Sequence, residues 1–510
     1  MEAHFNIAAW VNPSTIYEVN IRQYTPEGTF SAFENHIPRL KDMGVTVLWL
    51  MPITPISEKL MKGSLGSYYA CSSYVDINPE FGIISDFKRL VTQAHELGMK
   101  VIIDWVANHT GQDHVWTVSS PDFYMQDAEG NFTERNGWSD VIDLNYNNPA
   151  MRTAMIEAMQ YWVNTFDIDG FRCDLASWVE VDFWQQAKPE VETIKPLFWL
   201  GEYDELDNPD YATVFDASYS WKWMHLTKEF YQKKLPITDL TNLLSQYSAI
   251  GNKSMRAWFT TNHDENTWNG TEYEKYGEMA KTLAVFSATW NGVPLMYNGQ
   301  ELPLLNKRLE FFEKDPIPWN GENKLENFYK KLEKTTETLD FEIGKILNSK
   351  GIAHKINRKG SMMSIFFHTN RVSNFEEAAD SNHSLFNNFF HQLLAQGIYL
   401  PPSGYETWFI SDSINEAEID NTLEAVRNFD YSDKIIEHEM TIEDAANFAA
   451  ILKGKKIDEI LPSFKKDWDA LSLTDFDLKR SIKRVELAAI LNEYDVFNQF
   501  KVDVFGFYIK

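Results

Sequence analysis

Six side chains stand where short apolar runs end. Asp104 lies in "KVIIDWV", Arg172 and Asp174 in "DGFRCDLAS", Glu202 follows "LFWLG", and His263 and Asp264 follow "RAWFTT". Carboxyls brought together in one pocket repel one another, and burial further disfavours ionisation, so at least one should hold its proton to higher pH. A carboxylic acid of that kind can protonate a leaving group, while a second carboxyl, held ionised by the guanidinium of Arg172, attacks as a nucleophile. Cleavage of a glycosidic bond needs that division of labour. Retention of anomeric configuration requires the two carboxyls about 5 to 5.5 Å apart, and inversion about 6.5 to 9.5 Å.

The elements that would position these groups form a repeating phrase. From Ile16 to about Tyr297, β-branched or aromatic runs alternate with polar loops and amphipathic stretches, the pattern of parallel βα units. Candidate strands are "IYEVNI" (16–21), "TVLWLMPI" (46–53), "KVIIDWV" (100–106), "IDGFRCD" (168–174), "LFWLGE" (197–202), "ATVFDA" (212–217), "RAWFTT" (256–261) and "VPLMYN" (293–298). Eight is the number that closes an α/β (β/α)8 TIM barrel, whose active site lies at the C-terminal ends of its strands. Stretches such as "FSAFENHIPRLKDMG" and "SDFKRLVTQAHELG" end in Gly, as helices commonly do. The connection after the third strand is long, polar and aromatic, without helical period, and reads as a loop-rich insertion over 107–145.

Composition narrows the classes. Of the 510 residues 44% are hydrophobic and 24% charged, an ordinary globular balance. Acidic side chains number 74 against 47 basic, and the net charge of −27 disfavours nucleic acid and anionic membrane. The two cysteines, Cys71 and Cys173, sit in apolar runs and read as buried thiols. Neither a signal peptide nor a run of about 18 apolar residues is visible, so a cytoplasmic location is expected, or secretion if a leader has been removed.

The blocks "DWVANHT", "GFRCDLA", "GE" at 201–202 and "TNHDEN" resemble, in order and rough spacing, the four signature blocks of the α-amylase family of glycoside hydrolases. The resemblance covers roughly residues 13–330, and "GSYYACSSYVDINPEFG" and "YNGQE" extend it. It implies that Asp174 is the nucleophile, Glu202 the general acid and base, and Asp264 the carboxylate that stabilises the distorted sugar, with retention. It further implies that His109, His263 and Arg172 hydrogen-bond the sugar, that Asp104 supports them, and that Tyr69 stacks on the ring. No organic cofactor is implied. Many members of the family bind structural calcium through the Asn matched here by Asn108, helped by a histidine whose position here reads Trp178. The Lys-His pair that many members carry is replaced by Ser177-Trp178.

Taken singly, each carboxyl would pass for a capping or surface group, His109 for a satisfied loop histidine and Tyr69 for a core ring. Their joint occurrence carries the reading. The expected activity is a retaining hydrolase of α-1,4-glucosidic bonds in starch or maltodextrin-type glucans. An α-glucan transglycosidase of the same family and a non-catalytic carbohydrate-binding scaffold are the alternatives.

The chain divides into a catalytic barrel over 1–330, an α+β segment over 331–429 and a helical tail over 430–510. The middle segment, from "LDFEIGKILNSKG" through "GYETWFISDS", resembles the C-terminal domain of glutamate-1-semialdehyde aminomutase. That family works through pyridoxal phosphate on a lysine of its large domain, which has no counterpart here, so aminomutase activity is not expected.

Overall fold

A computed structural model describes residues 14–250, 254–302, 307–319, 325–359, 362–401, 403–409 and 416–431. The expected tail over 430–510 lies, beyond residue 431, outside the described residues. The described chain forms two compact units.

The first unit holds a closed barrel of eight parallel strands: β1 (Ile16–Val19), β2 (Val47–Leu50), β3 (Lys100–Val106), β4 (Gly170–Asp174), β5 (Phe198–Asp204), β6 (Ala217–Tyr219), β7 (Met255–Trp258) and β8 (Val293–Tyr297). Each strand pairs with its neighbours in sequence, and β8 closes on β1 through Ile16 and Leu295. Side chains alternate across a strand, so every second residue points inward. Ile16, Val47, Ile102, Phe198, Ala217, Val293 and Leu295 therefore meet in one apolar interior cluster. The opposite parity, including Tyr17, Leu48, Val101, Phe171 and Trp199, packs outward in a second cluster with the helices.

Helices follow the capping rules. In Pro149–Phe166 the side chain of Asn148 accepts the N–H of Ala150 at 2.9 Å. Helix Ile37–Met43 ends at Gly44, whose φ of 108° suits only glycine. The "ENFYKK" stretch opens helix Glu326–Ser349, and Gln300 donates to the Tyr329 hydroxyl in its first turns at 2.9 Å.

The sixth strand differs from the sequence expectation. Residues Pro209–Thr213 form a 3₁₀ turn, and the strand begins at Ala217. Val214 and Phe215 are apolar because they fill the outer core, a pattern that a short run cannot distinguish from a strand. Asp216 then accepts the N–H of Trp199 at 2.9 Å and Lys188 at 2.8 Å, which anchors the segment. The insertion after β3 is not wholly irregular, since His109–Gly111 pairs antiparallel with Val141–Asp143. Both cysteines are buried and free.

In the second unit, helix His383–Ala395 buries Phe386, Phe389, Phe390 and Leu393, the spacing of one helical face. Phe389 meets Phe367 and Phe429 edge-on at ring-centroid distances of 5.4 and 5.0 Å.

Candidate active site

The inward parity of β3, β4 and β5 carries Asp104, Arg172, Asp174 and Glu202 to the C-terminal mouth of the barrel. Asp104 stands opposite Arg172 in the register. Arg172 is wholly buried, and its Nη1 donates to both oxygens of Asp104 at 2.9 Å and to Asp174 Oδ1 at 3.0 Å. Its Nη2 lies 2.8 Å from Glu202 Oε2 as an ion pair, without the alignment of a hydrogen bond. One cation thus serves three carboxyls.

Local backbone fixes this arrangement. The β5–β6 register shifts between Gly201 and Asp204, a bulge that re-aims Glu202. A Cβ on Gly201 would stand 2.9 Å from Phe215 and 2.7 Å from Tyr203, so the "GE" pair needs its glycine. Leu175 adopts a left-handed conformation (φ 43°, ψ 44°), which costs a non-glycine residue of order 1 kcal/mol or more. That turn points its N–H at Glu202 Oε2, 2.9 Å away.

A second group lies across the mouth. Tyr69 Oη donates to Asp104 Oδ2 at 3.1 Å and lies 2.8 Å from His263 Nε2, with its ring stacked on the imidazole at 5.3 Å. The other imidazole nitrogen, Nδ1, meets Glu18 Oε1 at 2.5 Å. Asp264 Oδ2 is 3.4 Å from His263 Nε2, and its side chain keeps 40% of its exposure. Trp49 donates to Asp104 Oδ2 at 3.2 Å, and Arg172 Nε donates to the Tyr219 hydroxyl at 3.2 Å.

Charge follows burial. Desolvation, then the charge of Glu202, pushes the Asp174 carboxyl well above the usual range despite Arg172. Burial likewise raises Asp104 to about 6 against the pull of Arg172. For His263 burial opposes the charge, but Asp264 and Glu18 outweigh it and raise the imidazole to about 9. Burial pushes His109 down to about 4, leaving it neutral. The sequence reading had Arg172 holding the attacking carboxyl ionised. Instead burial and the like charge of Glu202 outweigh Arg172 at Asp174 and raise its carboxyl well above the usual range.

Asn108 is buried beside His109, but its surroundings suit a different cation from calcium. Its Oδ1 accepts Arg135 Nη2 at 3.4 Å, and Arg135 Nε pairs with Asp143 Oδ2 at 3.0 Å. A guanidinium already faces the oxygens that hard-cation coordination would use. Among the described residues no three His, Cys, Asp or Glu side chains group as metal ligands. The residues present do not fit calcium.

His109 lies beside Asn108, whose amide meets its Nδ1 at 3.1 Å. His109 is buried with its ring edge-on to Trp138 at 5.8 Å, and Tyr68, the neighbour of Tyr69, lies under Arg22 instead. Sequence reasoning missed Glu18. Its signal was available, since a carboxylate at an inward position of β1 among buried neighbours needs a partner. It also missed Trp138 and Phe311, the latter stacked 6.1 Å from Tyr69, because both sit in loops without periodicity. Among the described residues no helix is long and apolar enough to cross a membrane.

Comparison with known proteins bears on the family and the fold. The family model for the alpha-amylase catalytic domain matches residues 12–137 and 119–346. Alpha-amylase 3 of Dictyoglomus thermophilum is 26% identical over 363 residues, covering 62% of this chain and 69% of that protein. The crystal structure of an alpha-amylase from Lactobacillus plantarum superposes with a TM-score of 0.59 at 30% identity, covering 71% of this chain and 86% of that one. The chain spans about half to just over two thirds of the length of the curated relatives it matches first. A separate, short stretch of 104 residues is 43% identical to glutamate-1-semialdehyde 2,1-aminomutase of Flavobacterium psychrophilum, covering 20% of this chain and 24% of that protein.

Proposed function

Because the chain belongs to the α-amylase family and is a glycosidase of that type, we propose that it cleaves α-1,4-glucosidic bonds of starch or maltodextrin-type glucans with retention of configuration. One observation carries the reading: a single buried guanidinium reaches Asp174 with one terminal nitrogen and Glu202 with the other. A shared cation favours the shorter carboxyl separation of retaining enzymes over the gap that an intervening water needs.

The contacts divide the labour by atom. Arg172 holds Asp174 Oδ1, which leaves Oδ2 to attack the anomeric carbon. Arg172 and the Leu175 N–H hold Glu202 Oε2, which leaves Oε1 to carry the proton. In the first step Asp174 bonds to the anomeric carbon as the glycosidic bond breaks, and Glu202 gives its proton to the departing oxygen. In the second step water attacks that carbon, Glu202 takes back a proton and the ester to Asp174 breaks. Glu202 carries the proton at the moment of attack, and Asp174 must first lose its own, so activity falls at low pH, where that raised carboxyl stays protonated.

Asp264, half exposed beside His263, is placed to stabilise positive charge developing on the sugar ring. His109 and His263 are donors or acceptors for sugar hydroxyls, and Tyr69 and Asp104 hold His263 and Arg172 in place. No organic cofactor enters either step. A non-catalytic scaffold would have no use for three assembled carboxyls around one guanidinium.

Reducing-sugar release from soluble starch tests this reading. The wild-type chain should release maltodextrins, and Asp174→Asn should lower kcat by at least about 10⁴-fold, as nucleophile removal does elsewhere. Equal activity in the two would contradict it.

A further inference from the structure

We propose that Glu18 is a positioning residue for the reaction: its carboxylate holds the His263 imidazole in the doubly protonated form and fixes the Nε2 N–H at the mouth as a charged donor to a sugar hydroxyl. The proposal deepens the glycosidase reading and rests on it.

Glu18 lies on β1 opposite Trp49 of β2 and Tyr297 of β8 in the strand registers. It is wholly buried, so it acts through His263 rather than on the sugar. Its Oε1 meets His263 Nδ1 at 2.5 Å, and its Oε2 has no hydrogen-bond partner among the described residues. A carboxylate taken out of water costs free energy unless it is paired, and the imidazole supplies that pairing.

The donor count around the ring sets its protonation. The Tyr69 hydroxyl has one proton, which it donates to Asp104 Oδ2 at 3.1 Å. The 2.8 Å contact between Tyr69 Oη and His263 Nε2 therefore needs a proton on the nitrogen. On the other edge, Nδ1 faces a carboxylate, which when ionised only accepts. Two N–H donors make an imidazolium. Asp264 Oδ2, 3.4 Å from Nε2, adds a second negative charge that favours the cation. Burial works against it, but Asp264 and Glu18 prevail and raise the imidazole to about 9.

The other groups facing this pair are Asp104 on β3, which attracts the cation, Arg172 on β4, which repels it, and the hydroxyls of Tyr219 and Tyr297. Burial pushes both of those hydroxyls well above the usual range, so they stay neutral. Tyr69 stacks on the imidazole at 5.3 Å and Trp49 meets it edge-on at 6.1 Å, which together with the Glu18 bond fixes the ring. A sugar hydroxyl that shares the Nε2 N–H meets a charge-assisted donor, roughly twice as strong as a neutral one.

Glu18→Gln keeps an oxygen for the Nδ1 N–H and removes the charge, whereas Glu18→Asp keeps the charge on a shorter arm. In NMR of the chain with 13C-labelled histidine, the ring resonance lost in His263→Gln reports the titration independently of activity. Its midpoint should lie at about 9 in the wild type. It should lie about 1 to 3 pH units lower in Glu18→Gln and nearer the wild type in Glu18→Asp. On starch, the ratio of wild-type to Glu18→Gln kcat/KM should be small near about pH 5 and grow to about 10-fold near about pH 8, where only the wild type keeps the imidazolium. Ionisations elsewhere cancel in that ratio. An unchanged midpoint in Glu18→Gln would overturn the proposal, as would a ratio constant with pH, the result of a merely structural role. A wild-type midpoint at or below the ordinary value of about 6.5 would overturn it without any variant. Failure of the wild type to release sugar at any pH would overturn the glycosidase reading beneath it, while the midpoint still judges the charge of His263.

Discussion

The two halves of the barrel interior are built from the same strands and do opposite work. Toward the N-terminal ends, Ile16, Val47, Ile102, Val293 and Leu295 meet in an apolar cluster. Further along β1, β3, β4 and β5, the same inward parity presents Glu18, Asp104, Asp174 and Glu202, with Arg172 among them. The lower half gains free energy from dispersion and dehydration. The upper half gathers more carboxyls than its one guanidinium neutralises, and burial raises the pKa of Asp174 and Asp104. Stability and chemistry are thus assigned to different ends of the same barrel, and they should fail separately.

The largest expected effect lies in the upper half. Glu202→Gln should lower kcat on starch by about 10² to 10⁴-fold, the usual contribution of a positioned acid, while α-maltosyl fluoride, whose leaving group needs little protonation, loses far less. Equal losses on both substrates would break the division of labour between the two carboxyls. In the lower half, Leu295→Ala should destabilise the fold by about 2 to 5 kcal/mol. Denaturant melts should show that loss while kcat at low temperature stays within a few-fold. A large drop in kcat with little loss of stability would mean that the halves are coupled.

A smaller effect sharpens the boundary between them. The imidazole of His263 is raised from an ordinary value of about 6.5 to about 9 by Asp264 and Glu18 working against burial. A group raised on folding stabilises the protein fully below its unfolded pKa and loses that contribution as pH rises through the folded value. Melting temperature should therefore fall between about pH 6.5 and 9, and His263→Gln should flatten that fall. An unchanged slope in the variant would place the titration elsewhere.

How much of this was legible in the sequence depended on whether a residue obeyed a period. Asp104, Asp174 and Glu202 were readable because each ends an apolar run whose strand was clear. The repeat of eight such runs then gave the barrel. Val214 and Phe215 misled because they are apolar for the outer core rather than for a strand, and β6 starts later, at Ala217. Glu18 was visible but inconspicuous, since its partner His263 lies 245 residues away. Arg135, whose guanidinium faces Asn108, and Trp138, which faces Trp178, sit in an insertion without helical period. Their placement depends on a hairpin between Thr110 and Ile142 that tertiary contacts decide.

The central claim is that Asp174 bonds to the anomeric carbon while Glu202 carries the proton, and its most direct test is to trap the intermediate. Incubation with a 5-fluoro-α-glucosyl fluoride, which slows the second step, followed by proteolysis and mass spectrometry should add one fluoroglucosyl group to the peptide containing Asp174. Label on another carboxyl, or turnover of the unmodified fluoride with inversion of configuration and no label, would contradict the account.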